Sequence, residues 1–319
     1  MQETGVETYV IVIGESARRA NMGLYGYGRD TTPREDAAVS RMLRFTNAVS
    51  PAAGTLASVP LSLCRTSAAE GRGEVLDNPA DNVVALANAA GFATFWISKQ
   101  SSAGLWRSTI SDIAGMAGKL AWVRGKHDGA ALPELDAALA SPGRKLILLH
   151  IDGSHEPPGE KYPRAFAKFT GGNGMDDEYD NSIHYTDHLI GEIFARLAGA
   201  RASVLYYSDH ALMRAARRGH FKYRYVFGRK AYREAFEIPL WIWWSPAVSA
   251  PVKTGVINGL YSTGNNYLLI RDWLGVTLGG DKAPSPLRDG WEAPERVRVW
   301  VSEKDPAWLD ELKSEREAE

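Results

Sequence analysis

The sequence predicts an α/β fold, an α/β/α sandwich in which helices cover both faces of a largely parallel sheet. Three observations predict it. Short β-rich runs alternate with helix-length segments along most of the chain. The first run, Tyr9-Val10-Ile11-Val12-Ile13, is apolar without interruption, as in a strand buried on both faces. The 319 residues are 45% hydrophobic and 24% charged, a globular composition with enough chain for a large core.

In order along the chain, residues 9–13 form the first strand. A helix over 81–90 stops at Gly91, and a strand over 92–97 follows. A further helix closes over 135–140 before Ser141-Pro142-Gly143, ahead of a strand over 145–151. The longest helical pattern, 177–197, places Ile183, Ile190, Phe194 and Leu197 on one face. Strands over 204–208 and 238–244 come next, then a helix over 267–274 stopped by Gly275. Residues 153–175 and 211–233 are long and irregular, and loops of that length in a compact domain usually serve function. Residues 302–319 hold seven acidic and three basic residues, the pattern of a solvated terminal helix. No repeat or low-complexity linker interrupts the chain, so residues 1–319 read as a single soluble domain.

Composition also excludes some functions. With 37 Lys+Arg against 38 Asp+Glu the net charge is −1, which argues against a nucleic-acid binder working through bulk positive charge. A single cysteine, Cys64, allows no internal disulfide and no Cys-rich metal site. No apolar run is long enough to span a bilayer, and no targeting segment is visible.

Open α/β sheets bind ligands beyond the carboxyl ends of their strands. Three predicted strands end in polar residues: Ile13 leads to Gly14-Glu15-Ser16, Ile151 to Asp152-Gly153-Ser154-His155, and Tyr207 to Ser208-Asp209-His210. If those strands are parallel neighbours, carboxylates and imidazole meet at one edge, a donor set suited to Zn²⁺ or Mn²⁺. Each alone fits a helix-dipole acid or a polar turn equally well. His184 and His188 stand one helical turn apart, but without the Glu of a metalloprotease helix they read as a capping or solvated face.

Further motifs lie in line with these. The opening Val12-Ile13-Gly14-Glu15-Ser16-Ala17-Arg18 continues to Leu24-Tyr25-Gly26-Tyr27-Gly28-Arg29-Asp30-Thr31-Thr32-Pro33. Gly54-Thr55-Leu56-Ala57-Ser58-Val59-Pro60, His150-Ile151-Asp152-Gly153-Ser154-His155, Glu178-Tyr179-Asp180-Asn181 and Ser208-Asp209-His210 follow. Together they resemble the catalytic domain of phosphoethanolamine transferases, members of the alkaline phosphatase/sulfatase superfamily, from about residue 8 to about 275.

The resemblance implies an alkaline phosphatase-like fold and a role for each matching position. Glu15, Thr55, Asp209 and His210 match the zinc ligands, Thr55 being also the nucleophile. His155 and His220 match histidines beside the substrate phosphate or a second zinc. The chemistry fits: a threonine hydroxyl is a poor nucleophile at neutral pH, and Zn²⁺ can activate it while polarising a phosphoryl oxygen. Gly54 suits a tight turn before it, whereas spacing alone would make Thr55 an N-cap for a helix over 56–63. Ser16, beside Glu15, is a rival hydroxyl to which the family gives no covalent role. Lys99 and Gln100 are candidates for the family's polar substrate contacts.

The implied reaction moves phosphoethanolamine from phosphatidylethanolamine through Thr55 to a lipopolysaccharide or other envelope glycan, at the periplasmic face of the bacterial inner membrane, by a monomer. A phosphodiesterase or phosphatase of the same superfamily, or a non-catalytic envelope-binding domain, is the alternative. Ala211-Leu212 replaces the family's Gly-Glu after Asp-His, which removes a carboxylate and argues for one zinc rather than two. The family's disulfides and its preceding membrane anchor find no counterpart in this sequence. Eight basic residues from Ala211 to Arg233, with no acidic one among them, suit either a solvated loop or contact with anionic head groups.

Overall fold

In the computed structural model, residues 4–66, 79–100, 108–172, 174–217, 220–224, 231–277, 283–302 and 305–315 are described, with 215–217 and 220–224 as backbone alone. Eight strands build one sheet: β1 (Thr8–Gly14), β2 (Met42–Phe45), β3 (Ala93–Ser98), β4 (Lys119–Trp122), β5 (Lys145–His150), β6 (Ala202–Ser208), β7 (Leu240–Trp244) and β8 (Gly255–Ile257). Their spatial order is β8-β2-β7-β6-β1-β5-β3-β4. Within this sheet β7 pairs antiparallel with β2 and β6, and the other pairings are parallel.

Among the described residues the α-helices are α1 (Pro33–Ala37), α2 (Thr55–Leu63), α3 (Val83–Ala89), α4 (Thr109–Gly115), α5 (Leu132–Leu139), α6 (Gly174–Leu197) and α7 (Asn266–Trp273). They divide between the two faces because side chains alternate along each strand. Tyr9, Ile11 and Ile13 of β1 share a core with Val59 of α2, Val83 of α3, Ile110 of α4 and Leu269 of α7. Val10 and Val12 point the other way, into a core with Leu135 of α5 and Ile190 of α6. Both faces of β1 are therefore sealed, and each such apolar side chain contributes roughly 1.5–3 kcal/mol by leaving water.

Strand register then sets the site. Ile13 lies opposite His150 on one side and Tyr207 on the other, and Gly14 lies opposite Ser208. The next residues of all three strands emerge at one edge of the sheet.

Two expectations need correction. Residues 211–233 are not wholly irregular: Met213–Arg217 and His220–Arg224 form an antiparallel hairpin. Among the described residues, 305–315 are neither an α-helix nor a free solvated tail. Pro306–Trp308 pairs with Arg298–Trp300, a 3-10 turn follows at Leu309–Glu311, and Leu309 is buried.

Candidate metal centre

Glu15 leaves the end of β1, and Asp209 and His210 leave the end of the neighbouring β6. All three are buried, and one ligating atom from each falls within 4.8 Å of the others. Backbone contacts lock the two segments together: Asp209 N–H donates to Gly14 O at 2.9 Å and Ala17 N–H to Ser208 Oγ at 2.8 Å. Ser16, at φ 60°, takes the left-handed conformation that a non-glycine residue adopts only at a cost on the order of 1 kcal/mol. That turn puts Ser16 N–H on Asp209 Oδ1 at 3.2 Å and lets Ser16 Oγ donate to Glu15 Oε1.

Thr55 arrives from another element. It is the first helical residue of α2, and Gly54 holds the N-cap position in extended backbone (φ −161°). The N-cap role for Thr55 is thus overturned, and the chain bends at Gly54 without a left-handed glycine conformation. Freed from capping, Thr55 Oγ1 donates to Glu15 Oε2 at 2.9 Å and lies 3.4 Å from His210 Nε2. Ser58, one turn along, donates from Oγ to the Asp209 carbonyl and ties α2 to the strand end.

His210 Nδ1–H donates to Ala211 O at 3.1 Å, which leaves Nε2 facing Glu15 Oε1 at 3.2 Å and Asp209 Oδ2 at 3.6 Å. A hydrogen bond that fixes the tautomer and aims the other nitrogen is usual for metal-ligating histidine. Asp209 Oδ2 is buried with no hydrogen-bond partner, although a buried carboxylate oxygen normally has one.

The electrostatics describe a shortage of positive charge. Burial, then the Glu15 carboxylate, push Asp209 up to about 7. Burial would push the His210 imidazole down, but Asp209 and then Glu15 overcome it and hold the ring up at about 9. Burial also opposes ionisation of Glu15, yet His210 outweighs it and keeps that carboxyl well below its ordinary range. Two oxygens, one nitrogen and a hydroxyl around one point, with an unpaired oxygen facing it, fit a divalent cation of the zinc class.

The remaining candidates divide. His155 follows β5 on a loop packed against Glu15, where Ser154 N–H donates to Glu15 O at 2.9 Å. Its side chain is exposed, and Nδ1–H donates to Glu156 O at 2.7 Å. His220 opens the second strand of the hairpin, and its side chain lies outside the described residues. Gln100, expected at substrate, reaches the centre itself: Nε2–H donates to Glu15 Oε2 at 3.0 Å and to Ile151 O at 3.2 Å. Lys99 turns away to Gly125 O at 2.6 Å. Ala211 and Leu212 are buried in the two opposite cores, so no carboxylate stands there. Asp177 and Asp180 of α6 take the Arg29 guanidinium, each at 2.8 Å, and His188 packs on Phe166 at 4.6 Å.

Asp128 is a site residue that sequence reasoning missed. Buried, it accepts Asp152 N–H at 2.8 Å and Gly153 N–H at 2.9 Å, holding the loop that carries His155. Nothing local in the sequence marks it, because its partners lie 24 and 25 residues away.

The sulfatase family model matches residues 7–276, the span that holds every residue of this centre. The chain belongs to the sulfatase family. It is 41% identical over 279 residues to YhbX of Escherichia coli K12, covering 87% of this chain and 50% of that protein. It is 30% identical over 267 residues to the Kdo(2)-lipid A phosphoethanolamine 7''-transferase of Salmonella typhimurium LT2, covering 76% of this chain and 45% of that enzyme. The chain thus spans about half the length of the curated relatives it matches. Among solved structures, the C-terminal periplasmic domain of EcEptC from Escherichia coli superposes with a TM-score of 0.83 at 23% identity, covering 96% of this chain and 93% of that one. The same domain has been solved in complex with Zn. The phosphoethanolamine transferase resemblance seen in the motifs therefore extends across this sulfatase-family domain, and the alkaline phosphatase-like fold with it.

Proposed function

We propose that this chain is the catalytic part of a zinc-dependent phosphoethanolamine transferase that takes phosphatidylethanolamine as donor and an envelope glycolipid or glycan as acceptor, at the periplasmic face of the inner membrane. One observation carries the reading: the Thr55 hydroxyl sits against Glu15 and His210 in a buried cluster whose Asp209 Oδ2 has no hydrogen-bond partner. The phosphoethanolamine transferases among the relatives support the transferred group. Glu15, Thr55, Asp209 and His210 are the residues that would hold the metal. When bound, zinc supplies positive charge that favours the ionised hydroxyl and the phosphoryl oxygens.

The chain's own residues do the rest. Glu15 accepts the Thr55 hydroxyl hydrogen bond and orients its oxygen. Gln100 and Ser16 hold Glu15 in place, one on each carboxylate oxygen. Thr55 Oγ1 forms a bond to phosphorus while the bond from phosphorus to the glycerol oxygen breaks, and diacylglycerol leaves with a proton. The acceptor oxygen then bonds to the same phosphorus while the bond from phosphorus to Thr55 Oγ1 breaks; the acceptor loses its proton and Thr55 regains its own. His155, with Nδ1 committed to Glu156 O, keeps Nε2 to move those protons.

Mass spectrometry of the Thr55 peptide tests this after incubation of the zinc-loaded protein with phosphatidylethanolamine vesicles. A phosphoethanolamine adduct, absent in Thr55→Ala, is expected. Steady release of phosphoethanolamine to water without transfer would make the protein a phosphodiesterase, and failure to take up zinc would make it a binding domain.

A further inference from the structure

Beyond residue 276, where the family match ends, the chain returns to the metal centre. Trp300 N–H donates to Pro51 O at 2.8 Å, and Trp300 O accepts from Ala53 N–H at 3.3 Å, on the segment leading to Thr55. Glu315 reaches the other two segments. Arg18 Nη1 and Nη2 donate to its two carboxylate oxygens at 2.7 and 2.9 Å, and Arg214 N–H donates to Oε1 at 2.7 Å. Arg18 Nη1 also donates to Leu212 O at 2.5 Å. Arg18 stands three residues after Glu15, and Leu212 two after His210. One carboxylate and one guanidinium therefore cross-link the segments that bring Glu15 and Asp209-His210 together.

The pair is shielded: the Arg18 and Glu315 side chains are 6% and 13% exposed. Bidentate Arg–carboxylate geometry is directional as well as strong, and in such surroundings salt screens it little. The tail is also moored independently of this pair. Glu315 N–H donates to Glu234 Oε2 at 3.0 Å, and Arg233 N–H to Lys313 O at 3.0 Å. Glu315→Gln thus leaves the tail attached and one carbonyl oxygen for the Arg214 N–H, but loses the charged, two-oxygen hold on Arg18.

We propose that Glu315 is a positioning residue of the metal centre, setting the spacing between the Glu15 and Asp209-His210 segments through Arg18 and the Arg214 backbone. This rests on the metal reading above. It also makes the C-terminal segment, outside the family match, part of the site's support.

Hydrogen exchange of the zinc-free full chain tests the clamp without relying on metal or turnover. In Glu315→Gln, peptides covering residues 14–19 and 209–214 should exchange faster, while those of β5 stay as in the parent. Zinc affinity, measured by chelator competition, should fall on the order of 10-fold, as for outer supports of metal ligands. A chain ended after Ser314, which also loses the Glu315 N–H bond to Glu234, should exchange at least as fast as Glu315→Gln at both segments. Unchanged exchange at both segments, or exchange accelerated to the same extent in the peptides of β5, would overturn the proposal. A parent that binds no zinc overturns the metal reading instead, and the exchange data still decide the clamp.

Discussion

Thr55 shows what a single residue can and cannot announce. Followed by an apolar helical run, it has the sequence signature of a cap, and only the fold reveals Glu15 as its hydrogen-bond partner at 2.9 Å. Thr55→Ala should leave the melting temperature nearly unchanged and lower transfer by about 10³-fold or more, as expected for loss of a nucleophile. Measured transfer that survives in Thr55→Ala but dies in Ser16→Ala would move the covalent role to Ser16. His155 stands outside the cluster and makes no ligand-range contact with it, so His155→Ala should retain zinc while turnover drops by about 10²–10⁴. Protonation of the centre sets a third expectation. With Asp209 held up to about 7 and His210 up to about 9, metal must displace protons at neutral pH. Zinc affinity should rise with pH across that range, and calorimetry in two buffers of different ionisation enthalpy should report proton release. No proton release at pH 7 would contradict the assignment of His210 as a ligand.

At the level of elements, legibility follows burial. β1, β5 and β6 lie in the middle of the sheet, and strands sealed on both faces are apolar runs that any reading finds. Their polar ends were legible for the same reason, as an abrupt change from Ile13 to Glu15 or from Tyr207 to Asp209. The short strands β2, β4 and β8 were not, since Met-Leu-Arg-Phe and Lys-Leu-Ala-Trp carry little pattern in four residues. Nor was the hairpin, whose first strand, Met-Arg-Ala-Ala-Arg, lacks the period-2 alternation of a half-buried strand. The acidic tail misled through its charge, because its pairing with Arg298–Trp300 and Arg18 is tertiary. Where elements meet most closely, the loop after β5 crosses β1 at Gly153. Its φ is +49°, and a Cβ there would lie 2.7 Å from the Glu15 carbonyl oxygen. Gly153→Ala must move backbone rather than a flexible side chain. It should cost on the order of 1–3 kcal/mol in denaturant unfolding and weaken zinc binding as Glu15 shifts. Parent-like stability with parent-like zinc affinity would show that the two segments need not touch.

Over the whole molecule, the sheet joins the metal edge to a second buried acidic pair with no ligand to hold. Glu35 of α1 and Asp187 of α6 meet behind β7, where Trp241 Nε1–H donates to Glu35 Oε2 at 3.0 Å and Asp187 Oδ1 accepts Glu35 N–H at 2.9 Å. Glu35 Oε1 has no partner. Burial and then the neighbouring Asp187 raise Glu35 well above the ordinary range, and burial, against the Glu35 and Arg34 N–H donors, pushes Asp187 up to about 7. In the unfolded chain both carboxyls ionise near pH ~4. From there to about pH 7 the folded protein binds more protons than the unfolded one, so this pair makes stability fall as pH rises, by up to about 1.4 kcal/mol per pH unit for each carboxyl that the fold keeps protonated. Asp209 and His210 also titrate when metal is absent, so the comparison belongs in zinc-loaded protein, parent against Glu35→Gln. Glutamine keeps a carbonyl oxygen for Trp241 and cannot ionise. Melting temperatures measured at pH 5, 6, 7 and 8 should therefore fall less steeply for Glu35→Gln than for the parent. Parallel profiles for the two proteins would mean that the fold does not hold the Glu35 carboxyl protonated.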